Sequence, residues 1–291
     1  MSRLCLVVLL ALTACLTPER RAMVLDAPLE LRPAADALRG VALESLVVRA
    51  SRTAADLPLT TGLVRAVARE ASRSVVSIYT RTQTPARLRL IPFAFMPGFR
   101  VTLPGEALGS GFFVHPSGLI LSNQHVVEDA TEVWALTAAD EELRLRVLAL
   151  DPTFDLALLQ VIGPARSFPA LPMGDSGEVT LGETVLAIGN PLGLGHTVTM
   201  GIVSQTDRDL ARRAEDQDLR RPRFLQTDSA INPGSSGGPL LTLTGAWIGV
   251  NTAQASGAQG IGFSVPSAQA LEFLRAVSSG GWPGQPRDDG P

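Results

Sequence analysis

Between residues 74 and 265 the chain is cut into short apolar runs by glycine, proline and charged turns, and that spacing limits its fold more than any other feature. The runs fall into two sets of six. The first comprises 74–80, 110–115, 119–122, 132–138, 143–150 and 155–161; the second comprises 184–189, 197–205, 224–226, 239–243, 246–251 and 262–265. All are shorter than an ordinary helix and many carry β-branched residues, so each reads as a strand. Two such sets predict an all-β fold of two antiparallel six-stranded β-barrels, over about 74–163 and about 168–266. Helical spacing occurs only at the margins. GLVRAVAREAS (62–72) predicts a short N-terminal helix, and VPSAQALEFLRAV (265–277) predicts a C-terminal one, started by Pro266 and Ser267 and stopped by Gly280 and Gly281.

The stretch NPGSSGGPL (232–240) is a glycine-rich turn with Ser236 at its centre. Missing Cβ atoms at Gly237 and Gly238 let the backbone turn sharply and let a carbonyl group approach the hydroxyl. The N–H groups of Gly234 and Ser236 can converge on one point and hold a developing oxyanion. A serine hydroxyl needs a base to activate it and a third group to orient the base. His125, in LILSNQHVVEDA, follows a strand run, and Asp155 heads the apolar run of DPTFDLALLQV. The alternative for Ser236 is a tight glycine turn in a β protein, which leaves the histidine and aspartate segments unexplained. His115, before Pro116 and Gly118, reads as a turn residue, and His196 as a structural one. Asp228 reads as an anchor for the loop before Ser236 through hydrogen bonds to backbone N–H groups.

Six blocks in order, GSGFFV (109–114), SNQHVV (122–127), DLALL (155–159), GNPLGLGHTVTMGIVS (189–204), QTDSAINPGSSGGPL (226–240) and GIGFSVP (260–266), resemble the HtrA, or Deg, family of trypsin-like serine proteases. The match runs from about 61 to 277. The chain order His125, Asp155, Ser236 is the chymotrypsin-type order. Family members commonly have Thr-Asn before the histidine and Asn before the serine, where this chain has Asn123-Gln124 and Ser235. The resemblance implies a serine endopeptidase of unfolded or misfolded envelope proteins, with His125, Asp155 and Ser236 catalytic and Gly234 and Ser236 forming the oxyanion hole. Ala230 and Ile231, six and five positions before the serine, would then be the floor and wall of the pocket for the residue preceding the scissile bond. Neither is charged, and with Gly260 and Gly262 nearby that pocket suits a small to medium aliphatic side chain. Thr252, Ala253 and Gln254, just past a strand run, would pair with an extended substrate as an added strand. The alternative in another class is a chaperone-like peptide-binding protein of the same fold, non-catalytic or held inactive at rest.

The start of the chain bears on location. Residues 1–15 read as a signal peptide, with a basic start at Arg3 and an apolar run too short to span a bilayer. Its end, Leu12-Thr13-Ala14-Cys15, resembles the bacterial lipobox, in which Cys15 carries the lipid; an ordinary signal peptide is the alternative. Residues 16–60 then read as a tether, 61–278 as the protease domain and 279–291 as a disordered tail too short for a PDZ domain. These assignments predict a protein exported to the bacterial cell envelope, lipid-anchored to a membrane and facing the periplasm. The aromatic residues that make the threefold contact in HtrA-type trimers are missing from 17–60, which leaves a homo-oligomer open. The only cysteines are Cys5 and Cys15, so no disulfide is expected in the protease domain. A net charge of −3 supplies no basic field for nucleic acid. No metal-ligand spacing or cofactor fingerprint occurs, so neither a metal nor a cofactor is expected. The aromatic run IPFAFMPGF (91–99) is either a lid or protomer contact, or a loop folded onto its own barrel. The charged stretch 206–223 reads as a solvated loop or short surface helix, or, by its position in the family pattern, as a sensor loop.

Overall fold

A computed structural model describes residue 50 and residues 57–81, 106–128, 130–189, 197–209, 222–254 and 260–279. Cys15 with its signal segment, most of the tether, the run 91–99, His196, residues 210–221 and the tail beyond 279 lie outside the described residues. Helix α1 (Thr61–Ser72) comes first, its start capped by the Thr60 hydroxyl, which accepts the Leu63 N–H at 3.1 Å. Strands β1 (Val75–Arg81), β2 (Glu106–His115) and β3 (Leu119–Ser122) lead into a single helical turn, α2 (Gln124–Val127). Then follow β4 (Glu132–Thr137), β5 (Glu142–Asp151), β6 (Leu156–Ile162), β7 (Thr184–Gly189), β8 (Thr197–Asp209) and β9 (Arg223–Thr227). Strands β10 (Pro239–Thr242), β11 (Trp247–Gln254) and β12 (Gly262–Pro266) precede the last helix, α3 (Ser267–Ser279).

The strands close into two six-stranded barrels with one order used twice. The first runs β1-β2-β3-β6-β5-β4 and the second β7-β8-β9-β12-β11-β10, each closed by its first and last strands. Neighbouring strands are antiparallel throughout. This is the architecture the two sets of apolar runs predict, with a helix before and after.

The strands read as unbroken apolar runs because many are buried on both faces. Side chains alternate along a strand, and here alternate positions serve different cores. In β6, Ala157 and Leu159 point into the first barrel, while Leu156 and Leu158 enter a layer shared with the second barrel and α3. In β7, Val185 and Ala187 fill the second barrel, and Leu186 and Ile188 enter the same shared layer. Phe112 of β2 and Trp247 of β11 meet there edge to face, ring centroids 5.3 Å apart. Helix α3 buries Ala270, Phe273, Leu274 and Val277, the spacing of one helical face, against that layer. The first turn of α3 is tied down by Ser267, whose Oγ donates to the Gly174 carbonyl at 2.7 Å.

Several strands depart from the apolar runs: β2 starts four residues earlier, at Glu106, and β11 continues three further, to Gln254. β5 changes phase at a bulge between Val147 and Ala149, which turns Leu148 towards the shared layer while Leu143, Leu145 and Val147 stay inside the first barrel. β8 continues to Asp209, and β9 begins at Arg223, so both ends of the charged stretch 206–223 are strand rather than loop or helix. Cross-strand polar pairs hold this extension: Arg208 Nε donates to Gln226 Oε1 at 2.9 Å, and Arg223 lies 3.5 Å from Asp207. Hydrophobic patterning carries no sign of such a hairpin.

Candidate active site

Two segments of the first barrel bring His125 and Asp155 together. His125 lies in the turn α2, after β3, and Asp155 stands immediately before β6, paired to β3. Asp155 has φ +54°, a conformation disfavoured for residues with a Cβ but tolerated by aspartate. Two donors hold its carbonyl: Asn123 Nδ2 at 2.8 Å and the Gln124 N–H at 3.2 Å. Its carboxylate faces the histidine. His125 Nδ1 is 2.8 Å from Oδ2 and 3.0 Å from Oδ1, and the His125 backbone N–H donates to Oδ1 at 3.0 Å. A carboxylate only accepts, so Nδ1 carries a proton, and in the neutral ring the lone pair is then on Nε2. The His125 side chain is 44% exposed, so the ring is partly open to solvent.

The second barrel adds a third donor to the same carboxylate. On β11 the register jumps from Asn251↔Ser264 to Ala253↔Phe263, so Thr252 is the extra residue of a bulge. Its hydroxyl crosses to Asp155 Oδ2. A bulge re-aims a side chain that regular pleating would point elsewhere.

Ser236 lies in the second of two consecutive turns between Ile231 and β10. The first, Asn232 to Ser235, is closed by the Ser235 N–H donating to the Asn232 carbonyl at 2.8 Å; the second, Ser235 to Gly238, by the Gly238 N–H donating to the Ser235 carbonyl at 3.0 Å. Gly234 at φ +94° and Gly237 at φ +86° take the third position of each, where a type II turn requires positive φ. A Cβ on Gly237 would collide with the Ser110 carbonyl oxygen and the Ser122 hydroxyl. Neither the Gly234 nor the Ser236 N–H is spent on another described residue, so both remain able to donate. The Ser236 hydroxyl donates to the Thr252 carbonyl at 3.1 Å, and among the described residues no hydrogen bond joins it to His125.

The residues expected to contact substrate have different surroundings. Ala230 is exposed and its carbonyl accepts the Thr199 hydroxyl at 2.9 Å. Ile231 is buried in the interior of the second barrel and packs against Gly262, where a Cβ would come within 2.8 Å of its Cδ1. Gly260 has φ +69°. Residues 252–254 include two pairs to β12, at Ala253 and Gln254, while β10 pairs no further along β11 than Val250. That leaves one edge of 252–254 without a partner strand among the described residues. Asp228 Oδ1 accepts the Ile202 N–H at 2.7 Å, tying the segment before Ser236 to β8. His115 accepts the Ser117 N–H at Nδ1, and burial lowers its pKa from the ordinary value.

Comparison with known proteins settles the family. The Trypsin-like peptidase domain matches residues 109–250. A probable periplasmic serine endoprotease DegP-like of Ectopseudomonas mendocina is 37% identical over 263 residues, covering 82% of this chain and 52% of that protein. The putative serine protease HhoA of Synechocystis is 37% identical over 238 residues, covering 78% of this chain and 60% of its own. Among solved structures, the serine endoprotease from Yersinia pestis superposes with a TM-score of 0.57 at 30% identity, over 77% of this chain and 68% of the other. The chain belongs to the HtrA family of trypsin-like serine proteases. An HtrA-type protease, AlgW with tripeptide, gives a TM-score of 0.59 at 32% identity, over 75% of this chain and 64% of that one. The HtrA chain spans about half the length of the first of these curated relatives.

Two roles in this HtrA domain escape a reading of the sequence. Thr252 is legible as part of a substrate edge but not as a partner of Asp155, a contact across 97 positions. Ser110 sits in the GSGFFV block without any signal that its side chain reaches the Ser236 turn, 124 positions away.

Proposed function

We propose that this chain is a serine endopeptidase that hydrolyses peptide bonds in unfolded or misfolded envelope proteins. The observation that carries the proposal is that an Asp155-oriented His125 from one barrel is linked through Thr252 to the Ser236 turn of the other, two N–H groups of which are unspent among the described residues. In the reaction the Ser236 hydroxyl leaves the Thr252 carbonyl and gives its proton to His125 Nε2 as Oγ bonds to the scissile carbonyl carbon. The carbonyl electron pair moves onto oxygen, held by the Gly234 and Ser236 N–H groups. His125 then protonates the leaving amine, the C–N bond breaks, and water repeats the sequence on the acyl-enzyme. Asp155 keeps the imidazole in the right tautomer and stabilises its cation.

The open edge at 252–254 supports an extended substrate bound as an added strand, which unfolded polypeptide supplies and a folded protein seldom does. Ala230 and Ile231 are uncharged and Ile231 packs against Gly262, which supports a pocket for the preceding residue that favours small to medium aliphatic side chains. Each methylene there is worth only about 1–3 kcal/mol of discrimination. The names of the periplasmic relatives and the lipobox-like sequence support export to the envelope with a lipid on Cys15.

One observation favours a second reading, an enzyme inactive at rest: the Ser236 hydroxyl is engaged by Thr252 and not by His125. Hydrolysis of fluorescent unfolded casein, with fluorophosphonate labelling, by the full chain and by Ser236→Ala separates the cases. Both activities present and lost in Ser236→Ala is the expected result. Labelling without cleavage favours restricted access. Neither activity in a folded sample sinks the endopeptidase proposal in favour of the resting or peptide-binding protein.

A further inference from the structure

The Ser236 turn is gripped from the opposite barrel by Ser110 of β2, which is fully buried. The Ser110 hydroxyl donates to the Gly234 carbonyl at 2.6 Å, and the Ser110 backbone N–H donates to the Ser236 carbonyl at 2.8 Å. Behind it, the Ser122 hydroxyl donates to the Ser110 carbonyl at 2.7 Å, which anchors Ser110 to β3. The other end of the Gly234–Ser235 peptide is also held, because the Ser235 N–H donates to the Asn232 carbonyl at 2.8 Å. A peptide group is planar, so one pinned at both oxygen and N–H cannot swing without breaking both bonds. Local sterics would not hold it, since Gly234 has no Cβ and sits at φ +94°.

The two oxyanion donors flank this peptide: the Gly234 N–H lies just before it and the Ser236 N–H just after. Rotation of the peptide changes the angle between them. Without the hydroxyl, the Gly234 carbonyl becomes an unpaired acceptor that gains by turning towards solvent.

We infer that Ser110 is a positioning residue for acyl transfer, whose hydroxyl, reaching from the first barrel, holds the Gly234–Ser235 peptide in the orientation that makes the Gly234 and Ser236 N–H groups converge on the oxyanion. This rests on Ser236 being the nucleophile. Ser110 touches no reacting atom and acts on the charge that forms in the transition state. Its loss therefore lowers kcat and leaves ground-state binding of peptide largely alone.

The test uses the full chain as wild type, Ser110→Ala, Ser110→Cys and Ser236→Ala. Two probes are compared: a peptide boronic acid ending in the boron analogue of valine, which becomes a tetrahedral anion on a serine oxygen, and the same peptide as a C-terminal amide. Losing an oxyanion donor outright costs about 10²–10³-fold in kcat, so loss of its support is expected to cost about tenfold. Ser110→Ala should weaken the boronic acid by that factor and lower kcat in step, with amide affinity and KM within about twofold of wild type. Ser110→Cys, nearly the same shape with a weaker donor, should fall between, and it carries the comparison alone if the alanine variant shows no cooperative thermal transition. Equal weakening of both probes, or unchanged boronic acid affinity and kcat, overturns the inference. Boronic acid binding that survives in Ser236→Ala removes the nucleophile assignment itself, and the role of Ser110 with it.

Discussion

At the scale of residues, the site depends on backbone conformations that most side chains resist. Asp155 is held at positive φ by two hydrogen bonds to its carbonyl, so that its carboxylate can accept from His125 and Thr252 together. A hydrogen bond to a charged group contributes about 1.5–3 kcal/mol. Thr252→Val keeps the β-branched shape at the bulge but removes the donor. It should lower kcat by about tenfold with little change in KM, since the carboxylate matters most when the imidazole is cationic. A steady-state comparison on a valine-containing peptide checks this, and an unchanged kcat would show that Asp155 is oriented without Thr252. His125, Asp155 and Ser236 are legible as residues because their neighbours are short, distinctive strings. What Thr252 and Ser110 do is not, because both act on groups about a hundred positions away.

At the scale of elements, two-sided burial explains why the strand runs are so apolar. Leu158 of β6 is completely buried in the layer between the barrels, whereas Ile162 at the end of the same strand is 52% exposed. Leu158→Ala should cost about 2–5 kcal/mol through lost transfer energy and an unfilled cavity. Ile162→Ala should stay within about 0.5 kcal/mol. Urea unfolding of both variants checks the contrast, and similar losses would mean that β6 is not buried as described. The existence of the strands is legible from apolar periodicity. Their ends are less so: the last residues of β8 are charged and pair with β9 through ion pairs and side-chain hydrogen bonds, which resemble a solvated loop when read locally.

At the scale of the molecule, the barrels share one apolar layer, and Asp155 of the first is tied through Thr252 to the Ser236 turn of the second. The lipid anchor proposed at Cys15 would place the two barrels near a membrane surface. Cells expressing the full chain should incorporate a palmitate analogue into it and cells expressing Cys15→Ser should not; equal labelling would remove Cys15 as the attachment point. The sequence by itself determines that this chain makes two sets of short strands, that it belongs with the HtrA proteases, and which histidine, aspartate and serine are candidates for the chemistry. It does so because strand periodicity and turn glycines are local properties of a few neighbouring residues. The tertiary structure alone decides that Ser110 grips the Ser236 turn, that Thr252 reaches Asp155, and that the Ser236 hydroxyl rests on the Thr252 carbonyl. The first two are hydrogen bonds between residues about a hundred positions apart, with partners chosen only when the two barrels close against each other; the third spans 16 positions and is set inside the second barrel, where the Ser236 turn packs beside the bulge of β11.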